Sequence, residues 1–396
     1  MRSAPIKRVT IHHLAVPLKH RIDHAAARRT ISESIVVAIE LMNGLTGYGE
    51  TLPRQYVTGE SDESVIRVIG GELVPRLLEF RPKGFAEALE AIDALPLSNR
   101  KGECTAAARA AVELALVDAY ARFFDRSIDQ IPGWMGLASF GAPGSIDRVR
   151  YSGVLASSDP RRLTRTARLL WWYGIRRFKL KVAFEDDDRR LSAVLSVLGG
   201  AMRRGRATLR LDANGGWSPD QARRRLGAWS SRGIESVEQP LSRHDDDQLA
   251  ALRAETRVPI VHDESLVTAS DARRLIEAGV ADGFNIRISK CGGLMPALRL
   301  AGLARRHGVG VQLGCMVGET SILSAAGVQF LKLTPGVAQA EGCFGSFLLT
   351  GDVCRRGCRF GYGGRAPRVG DAGLGLNVDP QMLDRLSDGR RIIFEL

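Results

Sequence analysis

The chain has 396 residues, of which 44% are hydrophobic and 25% charged, a composition that excludes wholesale disorder. At about 150 residues per domain, this length predicts two or three domains, or one large barrel with an appendage. No apolar run approaches the roughly 20 residues needed to cross a bilayer, and the polar start lacks a signal-peptide pattern. We therefore expect a cytoplasmic protein with no membrane partner.

The formal net charge of +12 comes from arginine, because only eight of the 56 basic residues are lysines. The arginines are scattered and are not interleaved with aromatic residues, a pattern that favours an arginine-rich surface over a nucleic-acid interface. We therefore expect no nucleic-acid partner. The few lysines are informative, since lysine can release its proton inside a protein whereas arginine cannot.

The first part of the chain, residues 1–135, has strand-like runs followed by helix-like runs, which predicts an α+β domain. The dipeptide Asn43-Gly44 lies between two strand-like runs and predicts a tight hairpin. The predicted elements are strands over 9–18 and 33–41 and helices over 61–80, 84–94 and 104–124.

Short apolar runs alternate with amphipathic segments over residues 145–360, which predicts a second, α/β domain. The predicted strands are 151–156, 177–182, 208–213, 236–240, 259–264, 283–289, 309–314 and 336–341. Eight strands separated by helices predict a closed parallel barrel rather than an open sheet. The remaining segment, 361–396, is predicted to be a glycine-rich surface loop followed by a short helix and a terminal strand.

Charged residues lie near the ends of consecutive predicted barrel strands, where barrel enzymes build their active sites. Lys179 and Lys181 are two positions apart on one strand and therefore point to the same face. The next four strands carry, at intervals of about one strand and one helix, Asp212, Glu238, Asp263 and Lys290.

Three carboxylates buried at one rim would repel each other strongly unless a cation lay among them. Ligands that are all oxygen atoms favour Mg²⁺, or Mn²⁺, over zinc. A lysine beside a second ammonium group and a divalent cation has its charged form disfavoured and can act as a base. We expect Lys181 and Lys290 to face each other across the barrel mouth. One would remove a proton next to a carboxylate, and the other would protonate the opposite face or stabilise the developing charge.

The segments FKLKV, LDANGGW, EQP, DES and SKCGG, in this order and spacing, resemble the enolase superfamily and its muconate lactonizing enzyme subgroup. The resemblance implies a modified (β/α)7β TIM barrel under an α+β capping domain that the N-terminal and C-terminal segments form together. It also implies a Mg²⁺-dependent isomerase that abstracts a proton α to a carboxylate through a metal-stabilised enolate. Because relatives often form oligomers, we also expect a homo-oligomer.

The same resemblance implies roles for individual residues. Lys181 matches the catalytic lysine and Lys290 the lysine on the opposite face. Lys179 matches the neighbour that lowers the pKa of Lys181 and contacts the substrate carboxylate. The matched Mg²⁺ ligands are Asp212, Glu238 and Asp263, with Asn214 and Glu264 as candidates to support them, and Glu319 matches a position near the substrate.

In this family two cap loops and the end of the last barrel strand select the substrate. The loops resemble residues 20–29 and 52–61 here, and the candidates for binding an anionic or polar distal group are His24, Arg54 and Tyr56. Dipeptide epimerases of the subgroup carry an Asp-x-Asp pair that holds the substrate ammonium group. Gly342 and Phe344 stand at the corresponding positions, which argues against dipeptide epimerisation.

The expected function is therefore that of a muconate cycloisomerase, or of a racemase or epimerase of a capped amino acid, acting on a small carboxylate. An o-succinylbenzoate synthase-like lyase and a dipeptide epimerase stay as alternatives, because such enzymes also keep both lysines. A barrel that only binds a ligand is disfavoured, since every matched metal and lysine position is present.

Overall fold

The structure is a computed structural model that describes residues 5–24, 27–137, 140–337 and 339–396; within 21–29 it describes the backbone alone. Residues 20–24 and 27–29, expected to form a cap loop, instead extend a β-hairpin in which Asp23 pairs with Arg28. The side chain of His24 therefore lies outside the described part of the chain.

An antiparallel sheet of four described strands, in the order β12-β1-β2-β3, forms the cap. Its strands are β1 (Ile6–His24), β2 (Ala27–Leu41), β3 (Thr46–Thr51) and β12 (Arg391–Glu395). The predicted hairpin joins β2 to β3, and Gly44 adopts the left-handed φ of +87° that its turn needs. Because β12 pairs with β1, the C-terminal segment completes the sheet that the N-terminal segment begins.

The cap helices are α1 (Gln55–Thr58), α2 (Asp62–Val68), α3 (Val74–Leu77), α4 (Phe85–Asp93), α5 (Ala106–Phe123) and α6 (Ile131–Trp134). A π-helical turn, Ile69–Leu73, joins α2 to α3 and divides the helix predicted over 61–80. Alanine-rich α5 is apolar on nearly all sides and is buried against β3. Gly49 permits this contact, because a Cβ there would lie 2.0 Å from the carbonyl oxygen of Ala111.

The barrel contains eight described parallel strands in sequential order, close to the predicted positions. They are β4 (Gly153–Leu155), β5 (Arg177–Lys181), β6 (Thr208–Asp212), β7 (Val237–Glu238), β8 (Ile260–His262), β9 (Gly283–Ile286), β10 (Gly310–Leu313) and β11 (Gln339–Ala340). The amide of Ser152 donates to the carbonyl of Ala340 at 2.8 Å, which closes the ring between its first and last strands. The predicted α/β barrel is confirmed.

The helices that connect the barrel strands are α7 (Pro160–Trp172), α8 (Asp187–Arg203), α9 (Pro219–Trp229), α10 (Leu249–Glu255), α11 (Ala269–Glu277), α12 (Leu294–Arg306) and α13 (Ser321–Leu333). The short α14 (Gly345–Leu348) and α15 (Pro380–Ser387) follow the last strand. Side-chain oxygens of Asp159, Ser218 and Thr268 accept bonds from the first turns of their helices, as helix starts require. None of the described helices is long and apolar enough to span a membrane.

Two buried carboxylates hold the cap over the barrel. Glu50 of β3 accepts bonds from the Thr320 hydroxyl at 2.8 Å and the Leu323 amide at 3.1 Å, at the start of α13. Glu113 of α5 accepts bonds from the amide of Met295, at 2.7 Å, in the first turn of α12. Each carboxylate satisfies unpaired helix amides, so these contacts fix the cap above the carboxyl ends of the strands. The boundaries 1–135, 145–360 and 361–396 stay a prediction.

Candidate active site

Side chains two positions apart on the barrel strands point into the barrel and form a deeper and an upper layer. On β5 these are Lys179 and Lys181, and on β6 they are Arg210 and Asp212. The ammonium group of Lys181 lies 2.6 Å from Asp212 Oδ2, and that of Lys179 lies 3.0 Å from the same oxygen. Burial opposes ionisation of Asp212, but the two lysines outweigh it and hold its pKa well below the usual range.

Glu238, at the end of β7, contacts the same ammonium group as Asp212, that of Lys179. Its carboxylate lies 3.2 Å from Lys179 Nζ and accepts bonds from Asn285 Nδ2 at 2.8 Å and Gln312 Nε2 at 2.5 Å. Burial and then the charge of Asp212 raise the pKa of Glu238. A metal cation bound to these acids, in addition to Lys179, would therefore stabilise the ionised form of Glu238.

Asp263 follows β8 and also has two cationic partners. Its Oδ2 forms an ion pair with Arg287, and its Oδ1 accepts a bond of 2.8 Å from Lys290 Nζ. The guanidinium group of Arg287 also lies 4.0 Å from both Glu238 Oε1 and Glu264 Oε1. The predicted trio of acids is thus joined into one cluster by shared basic side chains.

The donor chemistry of this cluster fits a divalent cation such as Mg²⁺. The exposed fractions of Asp212, Glu238 and Asp263 are 0%, 2% and 0%, and all the oxygens they offer are hard carboxylate donors. The adjacent Glu264 has a buried Oε2 with no hydrogen-bond partner among the described residues. Asn214 connects this group to Lys181, since its Nδ2 donates to Glu264 Oε1 at 3.2 Å and its Oδ1 accepts from Lys181 Nζ at 2.8 Å.

A cavity of about 240 Å³ opens above the cluster, between barrel and cap. Predicted site residues that line it are Lys179, Lys181, Asn214, Glu319, Arg54 and Tyr56. Its remaining lining includes the apolar side chains of Met316, Val317, Phe344 and Leu348. The carboxylates predicted to bind metal lie beneath this lining, covered by the basic side chains.

Lys290 is not among the residues that line the cavity, whereas the sequence predicted that it would face Lys181 across the barrel mouth. It follows β9 in a turn and is fully buried, and burial lowers its pKa to about 8. The residue of the β9 end that does line the cavity is Arg287. This difference arises because Arg287 shares the inward face of Asn285, two positions earlier, whereas Lys290 lies beyond the strand.

The comparisons with known proteins agree with this architecture. Residues 8–133 match the family described as mandelate racemase / muconate lactonizing enzyme, N-terminal domain. Residues 162–382 match the family described as enolase C-terminal domain-like. The chain belongs to the enolase superfamily. Within it, the chain falls in the muconate lactonizing enzyme subgroup, which confirms the resemblance found in the sequence.

The N-succinyl-L-Arg/Lys racemase of Bacillus cereus is 30% identical over 329 residues, which cover 81% of this chain and 83% of that protein. Its crystal structure matches with a TM-score of 0.82 and 25% identity, over 99% of this chain and 100% of the other. The chloromuconate cycloisomerase of Cupriavidus pinatubonensis is 27% identical over 345 residues, covering 86% and 87% of the two chains. These enolase-superfamily relatives are isomerases, and the predicted enzyme class is confirmed.

Sequence reasoning missed Glu341, which follows β11 and contacts Lys179 and Arg210. Its carboxylate lies 2.5 Å from Lys179 Nζ and 2.7 Å from Arg210 Nη2, and these cations outweigh burial and lower its pKa. Glu341 ends the last predicted strand, so the rule that selected the acids of β6 and β7 would have found it. Arg287 was missed as well, although its spacing of two from Asn285 was visible.

Strained backbone is concentrated at the same rim. Among the described non-glycine residues with positive φ, Ala183, Asn214, Gln239 and Cys343 each lie just beyond a barrel strand. Their φ values run from +39° to +65°, a conformation that non-glycine residues adopt at a cost. Such strain at four strand ends is typical of a surface shaped to hold functional groups.

Proposed function

We propose that this chain is a Mg²⁺-dependent isomerase that removes a proton α to the carboxylate of a small substrate, with Lys181 as the base. The observation that carries the proposal is the position of Lys181, which lines the cavity while its nitrogen bonds Asp212 at 2.6 Å and Asn214 at 2.8 Å. Its side chain is 15% exposed, so the amine is held in place and still reaches the cavity. Membership of the enolase superfamily supports this chemistry.

Asp212, Glu238 and Asp263 would hold the Mg²⁺, and Mn²⁺ would suit the same oxygens. The bound cation would stabilise the negative charge that develops on the substrate carboxylate when the α-proton leaves. Asn214 and Glu264 would hold the surrounding acids and Lys181 in position through their mutual hydrogen bond.

Lys179 would act as a fixed positive charge. Burial alone would lower its pKa, but Glu238, Glu341 and Asp212 outweigh burial and raise the pKa of Lys179 above its usual value. A protonated Lys179 would contact the substrate carboxylate from the position next to Lys181 on the inward face of β5.

The residues at the positions of the Asp-x-Asp pair indicate a substrate without a free ammonium group at its distal end. Gly342 and Phe344 offer no carboxylate there, and Phe344 and Leu348 add apolar surface. Arg54 and Tyr56 would contact polar atoms of the distal part from the cap. An N-acylated amino acid, the substrate type in the name of the Bacillus cereus relative, or a muconate fits this lining.

The test is hydrogen exchange in D₂O, with N-succinyl-L-arginine, N-succinyl-D-arginine, muconolactone and L-Ala-L-Glu as probes. We expect Mg²⁺-dependent deuterium incorporation into an N-succinyl amino acid or muconolactone, detected by mass, and its loss with EDTA. L-Ala-L-Glu should exchange slowest, because Gly342 and Phe344 offer no carboxylate to its ammonium group. Absence of exchange from all four probes with Mg²⁺ would overturn the proposed function.

A further inference from the structure

Two pairs of cationic residues flank the predicted metal ligands. We call Lys179 and Lys181 the β5 flank, and Arg287 and Lys290 the β9 flank. On the β5 flank both Lys179 and Lys181 line the cavity, whereas on the β9 flank Arg287 lines it and Lys290 does not. The two flanks therefore present different chemical groups to the substrate.

Lys290 has no hydrogen atom left for a substrate. Its ammonium group donates to the Asp263 carbonyl at 2.7 Å, to Asp263 Oδ1 at 2.8 Å and to the Asn285 carbonyl at 2.9 Å. An ammonium group has three donors, and these three acceptors use all of them. The exposed fraction of Lys290 is 0%. Its ammonium group therefore connects the end of β9 to Asp263 without reaching the cavity.

Arg287 is placed to contact a bound molecule. It lines the same cavity as Lys181 and Glu319, and its Nη1 lies 3.5 Å from Met316 Sδ in that lining. Its Nε is buried and has no hydrogen-bond partner among the described residues. The ion pair with Asp263 and the place in the cavity lining make Arg287 a group that can hold Asp263 and also bind substrate oxygen.

We propose that Arg287, rather than Lys290, faces the substrate from the β9 flank, so that the reaction uses a single base and one face of the substrate carbon. This inference rests on the proposed function and narrows it to cycloisomerisation or elimination. A guanidinium group keeps its proton inside proteins, so Arg287 stabilises charge but does not exchange protons with the carbon.

Proton transfer on one face of the substrate carbon is chemically complete without a second base. The neutral amine of Lys181 takes the α-proton, and the electron pair of the broken C–H bond moves into the carboxylate. The Lys181 ammonium group can return a proton to the same face, which gives exchange with retention. Alternatively, the electron pair forms a carbon–carbon double bond as the bond from the β-carbon to a carboxylate oxygen breaks, and Arg287 binds the released carboxylate.

Racemisation requires proton removal on one face of the carbon and proton delivery on the other. It therefore distinguishes a site with Arg287 beside the substrate from a site with Lys290 there. The wild-type protein with Mg²⁺ in D₂O is given N-succinyl-L-arginine and N-succinyl-D-arginine separately, and muconolactone as a third probe. We expect deuterium uptake with retention, with exchange exceeding inversion by at least about 100-fold, the effect of one missing acid or base. Rapid interconversion of the two N-succinyl-arginines by the wild type would overturn this inference alone. No exchange from any probe would overturn the proposed function and this inference with it.

Arg287→Lys is the variant that tests the position itself. A lysine there provides a group that can exchange protons, so we expect interconversion of the enantiomers to appear while Mg²⁺ binding, measured by calorimetry, is retained. Arg287→Lys that binds Mg²⁺ but still exchanges with retention would contradict the placement of this side chain beside the reacting carbon. Arg161→Lys, at an exposed position of α7, serves as the matched control and should leave the retention unchanged.

Discussion

The β5 and β9 flanks carry the same number of positive charges but differ in proton chemistry. Asp212 pairs with Lys179 and Lys181, and Asp263 pairs with Arg287 and Lys290. On the β5 flank the groups at the cavity are amines, whereas on the β9 flank the amine is deep and the group at the cavity is a guanidinium. Equal charge therefore balances the acids equally, while only the β5 flank can take a proton from a substrate.

The largest effect is expected from Lys181→Met on the β5 flank. Removing the base should lower α-proton exchange by about 10³-fold, within the range of general acid–base catalysis. Exchange is measured by mass in D₂O, and calorimetry checks that Mg²⁺ still binds. Lys101→Met, at an exposed position of the cap, is the control and should exchange like the wild type. Full exchange in Lys181→Met would show that the base lies elsewhere.

Lys290→Met should affect stability rather than exchange. The substitution leaves the Asp263 and Asn285 oxygens buried without their ammonium partner, which should cost about 3 kcal/mol of unfolding free energy. The measurement is urea denaturation in EDTA, with Lys101→Met as control. Exchange per folded molecule, measured with Mg²⁺, should stay within a few-fold of the wild type. A stable variant without exchange would restore Lys290 as a group that acts on the substrate.

The two flanks show which parts of the site the sequence predicts and which it does not. The barrel strands, the hairpin at Asn43-Gly44 and the acids of β6 to β8 follow from local patterns, because strand period and turn chemistry are written in neighbouring residues. On the β9 flank, counting residues between charges selected Lys290, whereas alternation along the strand selects Arg287. The charge interval locates the end of a strand, but only the alternation of inward side chains says which residue faces the cavity.

Other parts of the site depend on contacts that no local pattern contains. Glu341 meets Lys179 only because β11 closes the ring beside β4, more than 150 residues apart in sequence. Arg54 reaches the cavity because Glu50 and Glu113 fix the cap on the helices of the barrel. These positions follow from closure and docking, so the sequence identified Arg54 as a candidate without showing its contacts and did not identify Glu341.

The two acids at the ends of the trio give a symmetric test of the flanks. Asp212→Asn and Asp263→Asn should each weaken Mg²⁺ binding by at least about tenfold, because each removes a charged oxygen ligand. Calorimetric titration with Mg²⁺ measures the affinity, and Asp220→Asn, at an exposed position in α9, is the control. A loss in one variant alone would place the cation toward that flank and exclude the other acid as a ligand.

The smallest expected effect concerns Glu319, an acid that lines the same cavity as Arg287. Loss of solvent around the carboxyl group raises its pKa to about 8, against the opposing charges of Arg287 and Arg54. Between pH 4.5 and 8 the folded protein then holds a proton that the unfolded chain has released. The stability that this bound proton contributes is therefore complete below pH 4.5 and is lost as the pH rises through 8.

Glu319→Gln removes this titration and keeps the size of the side chain. In urea denaturation at pH 5 and pH 8, the wild type should lose stability relative to Glu319→Gln as the pH rises. Because Glu319 is only half-buried, the loss should stay well below the limit of about 1.4 kcal/mol per pH unit. Glu103→Gln, at an exposed position of the cap, should follow the wild type. An opposite slope would mean that Glu319 is ionised at pH 5 and forms a charge pair with Arg287, in which case the β9 flank would present no free cation to a substrate.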